Sequence, residues 1–77
     1  MKIKVLGENR TEMDLGNGIK VLFSYQTPVA YSKLTSVGTL RYKTNEYYSR
    51  TTSKHISQWY HEYDDICPQE EIDNLVK

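Results

Sequence analysis

The sequence predicts an α+β fold, an antiparallel sheet of four or five strands followed by two helices packed on one face of that sheet. Up to about residue 44, short runs of alternating polar and apolar residues are separated by turns that contain glycine, as in antiparallel strands. After about residue 50 the apolar residues recur at helical spacing instead. Strands that come first and helices that come last are typical of α+β domains.

Length and composition predict a single soluble domain that spans residues 1–77. A chain this short buries only about 60–65% of its unfolded surface, so it cannot divide that surface between two cores. Hydrophobic residues make up 38% of the chain and charged residues 26%, values typical of folded proteins. The one cysteine, Cys67, excludes an internal disulfide and fits a reducing compartment. No apolar run approaches the ~18 residues that cross a bilayer, so we expect a cytoplasmic protein without a membrane anchor.

The predicted strands occupy the first part of the chain, through about residue 44. The run IKVLFSY (19–25) is the most apolar and is predicted to be the central strand. It follows GNG (16–18), a tight-turn signal because glycine and asparagine accept a positive φ. The predicted strands lie at residues 2–6, 11–15, 19–25, 29–34 and 39–44.

The last predicted strand, TLRYKT (39–44), is expected to have one basic face. Because neighbouring side chains in a strand point to opposite sides, Arg41 and Lys43 should lie on one face and Tyr42 on the other. We expect Tyr42 to join the core and the two cations to face solvent or a ligand.

Two helices are predicted at residues 52–63 and 68–76. In the first, the apolar stripe has the spacing i, i+3, i+4, i+7, and Trp59 at its centre should pack on the sheet. Thr52 is the predicted N-cap, because its hydroxyl can accept from the free amides of the first turn, and Thr51 or Ser53 replaces it if the register is shifted by one. In the second, Pro68 suits a first helical position and acidic residues follow it, where the helix dipole favours negative charge. The stripe of the first helix consists of Ile56, Trp59, Tyr60 and Tyr63.

Charge is unevenly distributed although the formal net charge is zero. Residues 1–57 carry nine Lys and Arg against four Asp and Glu, and residues 58–77 carry one against six. This pattern fits a basic binding face with an acidic tail, and it fits equally two surfaces that attract each other on folding.

No catalytic or metal-binding constellation is found, so the sequence predicts neither an enzyme nor a cofactor. Cys67 lies among acidic residues that raise the pKa of a thiol. His55 and His61 are six positions apart, which places them about 120° apart on a helix, and no third metal ligand accompanies them. Asp64 and Asp65 are adjacent carboxylates at a helix end rather than a spaced acid and base.

The start of the first helix is the candidate binding site. Hydroxyls, cations and free helix amides come together there, a combination that suits an anion. Three interpretations stay open: ordinary capping with solvated charges, contact with nucleic-acid phosphate, and contact with an acidic protein surface. The candidate residues are Ser49, Arg50, Thr52, Ser53, Lys54 and His55, together with Arg41 and Lys43 of the basic strand face.

Four segments resemble a family of very short proteins from phages, plasmids and related mobile elements that has no established activity. The segments are VLFSYQTPVAY, YKT, YSRTTSKHISQW and CPQEEIDNLV, and the resemblance covers roughly residues 18–76. It implies a mobile-element accessory protein in a host cell.

Two functions follow as hypotheses. The first is stoichiometric binding to a host or phage protein, as a modulator or inhibitor of a complex such as a CRISPR-type defence effector. The alternative is a nucleic-acid-binding accessory protein, which the net charge of zero disfavours. A homodimer through the edge strand 2–6 also stays open. The cations for the nucleic-acid alternative are Lys33, Arg41, Lys43, Arg50 and Lys54.

Overall fold

The α+β class is confirmed by the structure, a computed structural model that describes residues 2–77. The strands are β1 (Lys2–Gly7), β2 (Arg10–Asp14), β3 (Ile19–Ser24), β4 (Thr27–Thr35), β5 (Gly38–Thr44) and β6 (Asp65–Cys67). The helices are α1 (Arg50–Trp59), between β5 and β6, and α2 (Gln69–Leu75), after β6. Within residues 2–77, neither helix has the length and apolar character needed to span a membrane.

All six strands form one mixed sheet in the order β1-β2-β3-β4-β5-β6. The first five are antiparallel neighbours, whereas β6 pairs with β5 in parallel. The prediction of four or five antiparallel strands therefore missed β6. This strand has three residues, too few to show alternation, and a parallel neighbour requires a crossover, which α1 provides.

The helices lie on opposite faces of the sheet, so the prediction that both pack on one face is wrong. Ile56 of α1 packs with Leu22 and Ala30, whereas Ile72 of α2 packs with Val21 and Tyr31. Adjacent residues of one strand point to opposite faces, and the two helices therefore cover different sides. An apolar stripe shows that a helix is buried but not which face it covers; here β6 separates the helices, and the chain changes side around it.

Helix α1 begins and ends earlier than predicted. Its N-cap is Ser49, whose hydroxyl accepts from the Thr52 amide at 3.1 Å, so the prediction of Thr52 as N-cap is wrong. The helix stops at Trp59 because Tyr60 is extended, with φ −142° and ψ 142°. Tyr63 then folds back, and its hydroxyl donates to the Ile56 carbonyl at 2.6 Å, which satisfies a carbonyl at the helix end.

Trp59 packs on the sheet as predicted. It is partly buried against the cluster around Leu22 and Ala30. Its indole N–H donates to Glu12 Oε1 at 2.9 Å. This bond satisfies the polar atom of the ring while the apolar body packs, so helix and sheet are joined by both kinds of contact.

A buried chain of hydrogen bonds, here called the polar chain, connects α1 to β3. The Ser49 hydroxyl donates to Thr52 Oγ1 (3.2 Å), which lies 2.9 Å from Ser24 Oγ, and Ser24 Oγ lies 2.8 Å from His55 Nδ1. Each of these polar side chains therefore has a hydrogen-bond partner within the protein.

Helix α2 matches its predicted position within one residue at each end. Its Ile72 side chain is fully buried against the sheet. The Gln69 side-chain amide donates to the Pro28 carbonyl at 2.7 Å, and the Tyr31 hydroxyl donates to Glu71 Oε2 at 2.6 Å. Both bonds reach β4 and hold the helix over the middle of the sheet.

We predict that acid destabilises the protein through His55. Burial lowers the pKa of His55, and the Arg10 and Lys54 charges lower it further. The unfolded state then binds a proton more readily, so the stabilisation is complete above the unfolded pKa of about 6.5 and is lost as pH falls from there towards the folded pKa. Urea unfolding at pH 7 and pH 5 measures this loss.

Two variants test this explanation: His55→Asn removes the buried imidazole, and His61→Gln is the control. His61 is exposed, so His61→Gln should keep the pH dependence of the native protein. His55→Asn should be less stable but should show a smaller change in the free energy of unfolding between the two pH values. An unchanged pH dependence in His55→Asn contradicts the neutral, buried imidazole.

Candidate binding site

The predicted corner at the start of α1 is mostly structural. Thr52 is 5% exposed and His55 is 7% exposed, and both belong to the polar chain. Ser49 is half-buried as the N-cap. The hydroxyls of Ser49 and Thr52 and the imidazole of His55 are thus engaged in hydrogen bonds within the protein. Arg50, Ser53 and Lys54 are exposed.

Arg41 and Lys43 hold the segment after α1 rather than facing open solvent. The Arg41 guanidinium lies 4.4 Å from the centre of the Tyr60 ring, and the Lys43 ammonium lies 5.6 Å from the centre of the Tyr63 ring. Both cations are half-buried. The sequence prediction assigned the tyrosines to a longer helix and therefore missed these contacts.

Tyr42 faces away from these cations, as predicted. Its ring stacks on that of Tyr31 with the centres 4.9 Å apart, and it packs against the cluster that α2 covers. The alternation in β5 is therefore confirmed, although the two cations are partly covered.

The side chains here that could act as a nucleophile with an adjacent base, or as a thiolate, are buried or protonated. Ser24 and His55 have the contact of a nucleophile and base, but Ser24 is 1% exposed and cannot meet a substrate. Burial, reinforced by Glu71, raises the pKa of the Cys67 thiol to about 11, so the thiol is protonated at neutral pH. In the part of the chain that the structure describes, residues 2–77, no three His, Cys, Asp or Glu side chains group as a metal site.

An uncovered apolar surface lies beside α2, on the β1–β3 part of the sheet. Ile3 is 64% exposed, Val5 75% and Tyr25 51%. Ile3 and Tyr25 border a shallow groove of about 270 Å³ whose lining contains no charged residue. Val5 lies on the same side of β1 as Ile3. We call this surface the open face; it consists of Ile3, Val5, Thr11, Met13, Phe23, Tyr25 and Gln26.

Strand register explains the open face. Ile3 pairs with Met13, and Met13 pairs with Val21, which is buried under α2. The side chains of this row are therefore apolar all the way from the buried core to the edge of the sheet. Exposed apolar surfaces of this kind mark interaction sites. Alternation in the sequence places Ile3 and Val5 on one side of their strand, but it does not show whether a helix covers that side.

Tyr25 lies at the tip of the β3–β4 turn in an unfavourable backbone conformation. Its φ is 60°, in the left-handed region, where a bulky L-residue is strained. The Tyr25 amide donates to the Asn9 carbonyl at 2.7 Å, which joins two neighbouring turns. Strain of this kind is concentrated at functional sites. The turn therefore holds an exposed aromatic side chain at one end of the open face.

We predict that Tyr25→Gly is more stable than Tyr25→Ala. Both variants lose the ring, whose centre lies 6.0 Å from that of the His55 ring, so their comparison isolates the backbone. Glycine avoids a strain of about 1–2 kcal/mol at positive φ, and its greater freedom when unfolded offsets about 0.5–1 kcal/mol of that gain. Urea unfolding should therefore show a difference of about 0.5–1 kcal/mol in favour of glycine. At Tyr47, which has no positive φ, glycine should be no more stable than alanine, and the same result at Tyr25 contradicts the strain.

Comparisons with known proteins identify the family but not the activity. A search of curated proteins and a search of solved structures give no match. A protein-family model matches residues 1–74, which is nearly the whole chain. The chain therefore belongs to that family, a family of unknown function (DUF8033).

Proposed function

We propose that this protein is a small, non-enzymatic accessory protein that acts by binding a partner protein in a fixed ratio. The observation that carries the proposal is the open face, where apolar side chains remain exposed beside a well-packed core. Scattered apolar residues are common on surfaces, but a continuous row over neighbouring strands is typical of an interface.

The chemistry of the open face favours a protein as the ligand. Its groove is shallow and uncharged, with few groups that could orient a small polar molecule. Tyr25 at its end is the kind of residue that supplies binding energy in protein interfaces, since tyrosine combines a large apolar area with few rotatable bonds. A strained turn that displays such a ring supports a binding role.

The nucleic-acid alternative has less support. Arg41 and Lys43 lie over tyrosine rings, where they are partly covered. On the same face of the sheet, Lys4 pairs with Glu12 across neighbouring strands, so a phosphate placed there would meet a carboxylate. The net charge is zero, whereas neutralisation of phosphates drives nucleic-acid binding.

The proposed setting is the cytoplasm of a host cell. The segments SYQTPVA and YSRTTSKHISQW resemble those of phage and plasmid proteins, and on that resemblance the partner is a host or phage protein. Within this setting we place the protein as a modulator or inhibitor of a host complex, such as a CRISPR-type defence effector. A protein that acts by covering a surface needs an apolar face and no catalytic group.

We predict that Val5→Glu abolishes partner binding without unfolding the protein. Val5 is 75% exposed, so a charge there is solvated in the free protein but buried without a counter-ion in a complex. Val37→Glu is the control, because Val37 is 90% exposed and lies in the β4–β5 turn, outside the open face. The native protein and Val37→Glu should retain one partner from host lysate in equimolar amount, and Val5→Glu should retain none.

Two results contradict the proposal. In one, Val5→Glu retains the partner as well as the native protein does. In the other, the protein shifts DNA or RNA in a gel, the complex weakens steeply as salt rises, and Arg50→Ala with Lys54→Ala removes it. The second result supports the nucleic-acid alternative.

A further inference from the structure

Strand β1 forms one edge of the sheet. It pairs with β2 on one side, and within residues 2–77 no strand pairs with its other side. The pairing is regular from Lys2 to Val5 and shifts only between Val5 and Gly7. An edge strand of this kind presents unpaired backbone N–H and C=O groups that another extended segment can use.

Charges alternate in sign from strand to strand on the face that α1 covers. Lys2 pairs with Asp14, and Asp14 pairs with Lys20. Lys4 pairs with Glu12 in the next row. Directly opposed charges of opposite sign stabilise a sheet, and like charges destabilise it. Both rows end at the edge with a lysine, so an acidic residue suits the next position outward.

The other face of β1 ends in apolar residues. Ile3 continues the row of Met13 and Val21, and Val5 continues the row of Thr11 and Phe23. Both end residues are more than half exposed. An apolar residue in the next position outward would cover their side chains and lengthen the open face.

We propose that the partner adds an extended segment, antiparallel to β1, in which acidic and apolar residues alternate. The acidic residues lie opposite Lys2 and Lys4, and the apolar residues lie opposite Ile3 and Val5. Backbone hydrogen bonds supply affinity, and these side-chain pairs supply specificity. The inference rests on the proposed function and deepens it, because it names the kind of segment that the partner contributes.

A second copy of the chain suits this edge less well. Residues that oppose each other in an antiparallel pair share a face, so the face of Lys2 and Lys4 meets the same face of the other copy. A register centred on Val5 avoids a lysine–lysine pair but has to run across the irregularity between Val5 and Gly7. A two-fold register centred on Lys4 sets Lys4 against its own copy, and one centred on Ile3 sets Lys2 against Lys4. These like charges oppose self-pairing, whereas an acidic partner turns the same lysines into attractive contacts.

The test uses synthetic peptides and a charge exchange. One fluorescein-labelled peptide alternates glutamate with isoleucine and valine, and a second has lysine in place of each glutamate. By fluorescence anisotropy, the native protein should bind the glutamate peptide about tenfold more tightly than the lysine peptide. The double variant Lys2→Glu, Lys4→Glu should show the reverse preference. Lys33→Glu with Lys77→Glu makes the same change in net charge away from the edge and should keep the native preference.

Strand addition also predicts that two adjacent prolines in the middle of the glutamate peptide remove its binding, because one of any two neighbouring N–H groups points to β1 and proline lacks it. Circular dichroism checks the fold of each variant. If the charge-exchanged variant does not fold, Lys2→Ala with Lys4→Ala replaces it, and its preference between the peptides should disappear.

Several results overturn the inference. They are no binding of either peptide up to about 1 mM, equal binding of both, an unchanged preference after charge exchange, and full binding of the proline peptide. Sedimentation that shows a dimer broken by Val5→Glu also overturns it, because a second copy then occupies the site. If Val5→Glu still loses the lysate partner while the peptides show no preference, the proposed function stands and only the inference on the segment fails.

Discussion

The constraint on which the structure depends is that six strands present two faces, while the chain supplies two short helices, of 10 and 7 residues. Six strands about 4.8 Å apart span roughly 24 Å, and a helix is about 10 Å across, so one helix covers about half of a face. Because the chain changes side around β6, each face receives one helix and keeps an uncovered part. On the α1 face that part carries paired charges, and on the α2 face it is the open face. The open face is therefore exposed because each side of the sheet is covered by one helix and not by two.

Residues that suggested a binding corner contribute mainly to the junction between α1 and the sheet. The polar chain connects Ser49 through Thr52 and Ser24 to His55, so each of these side chains has a hydrogen-bond partner. A buried polar group is tolerated only when it is hydrogen-bonded. The polar chain meets that condition for its hydroxyls and its imidazole, which contribute little apolar contact. A helix held in this way is a rigid support for the strand that leads to Tyr25.

Much of the fold could be predicted from local patterns, because alternation, glycine turns and helical spacing depend on neighbours in sequence. The strands up to residue 44, the position of α2 and the packing of Trp59 follow from such patterns. The remaining features depend on residues far apart in the chain. Ser49, Thr51 and Thr52 are all reasonable caps, and the partnership of Thr52 with Ser24, 28 positions away, decides between them. Alternation places Ile3 on one side of its strand, but its exposure depends on where α2 lies, which is over Val21 two strands away.

The central claim is that the open face is bare in the free protein and covered in the complex. Hydroxyl-radical footprinting of the free protein and of the complex purified from host cells measures both states. We predict that Ile3, Val5 and Tyr25 are modified readily in the free protein and protected in the complex, while Tyr47, exposed elsewhere, is modified equally in both. Equal modification of Tyr25 in the two states, or protection of Tyr47 instead, would contradict the account.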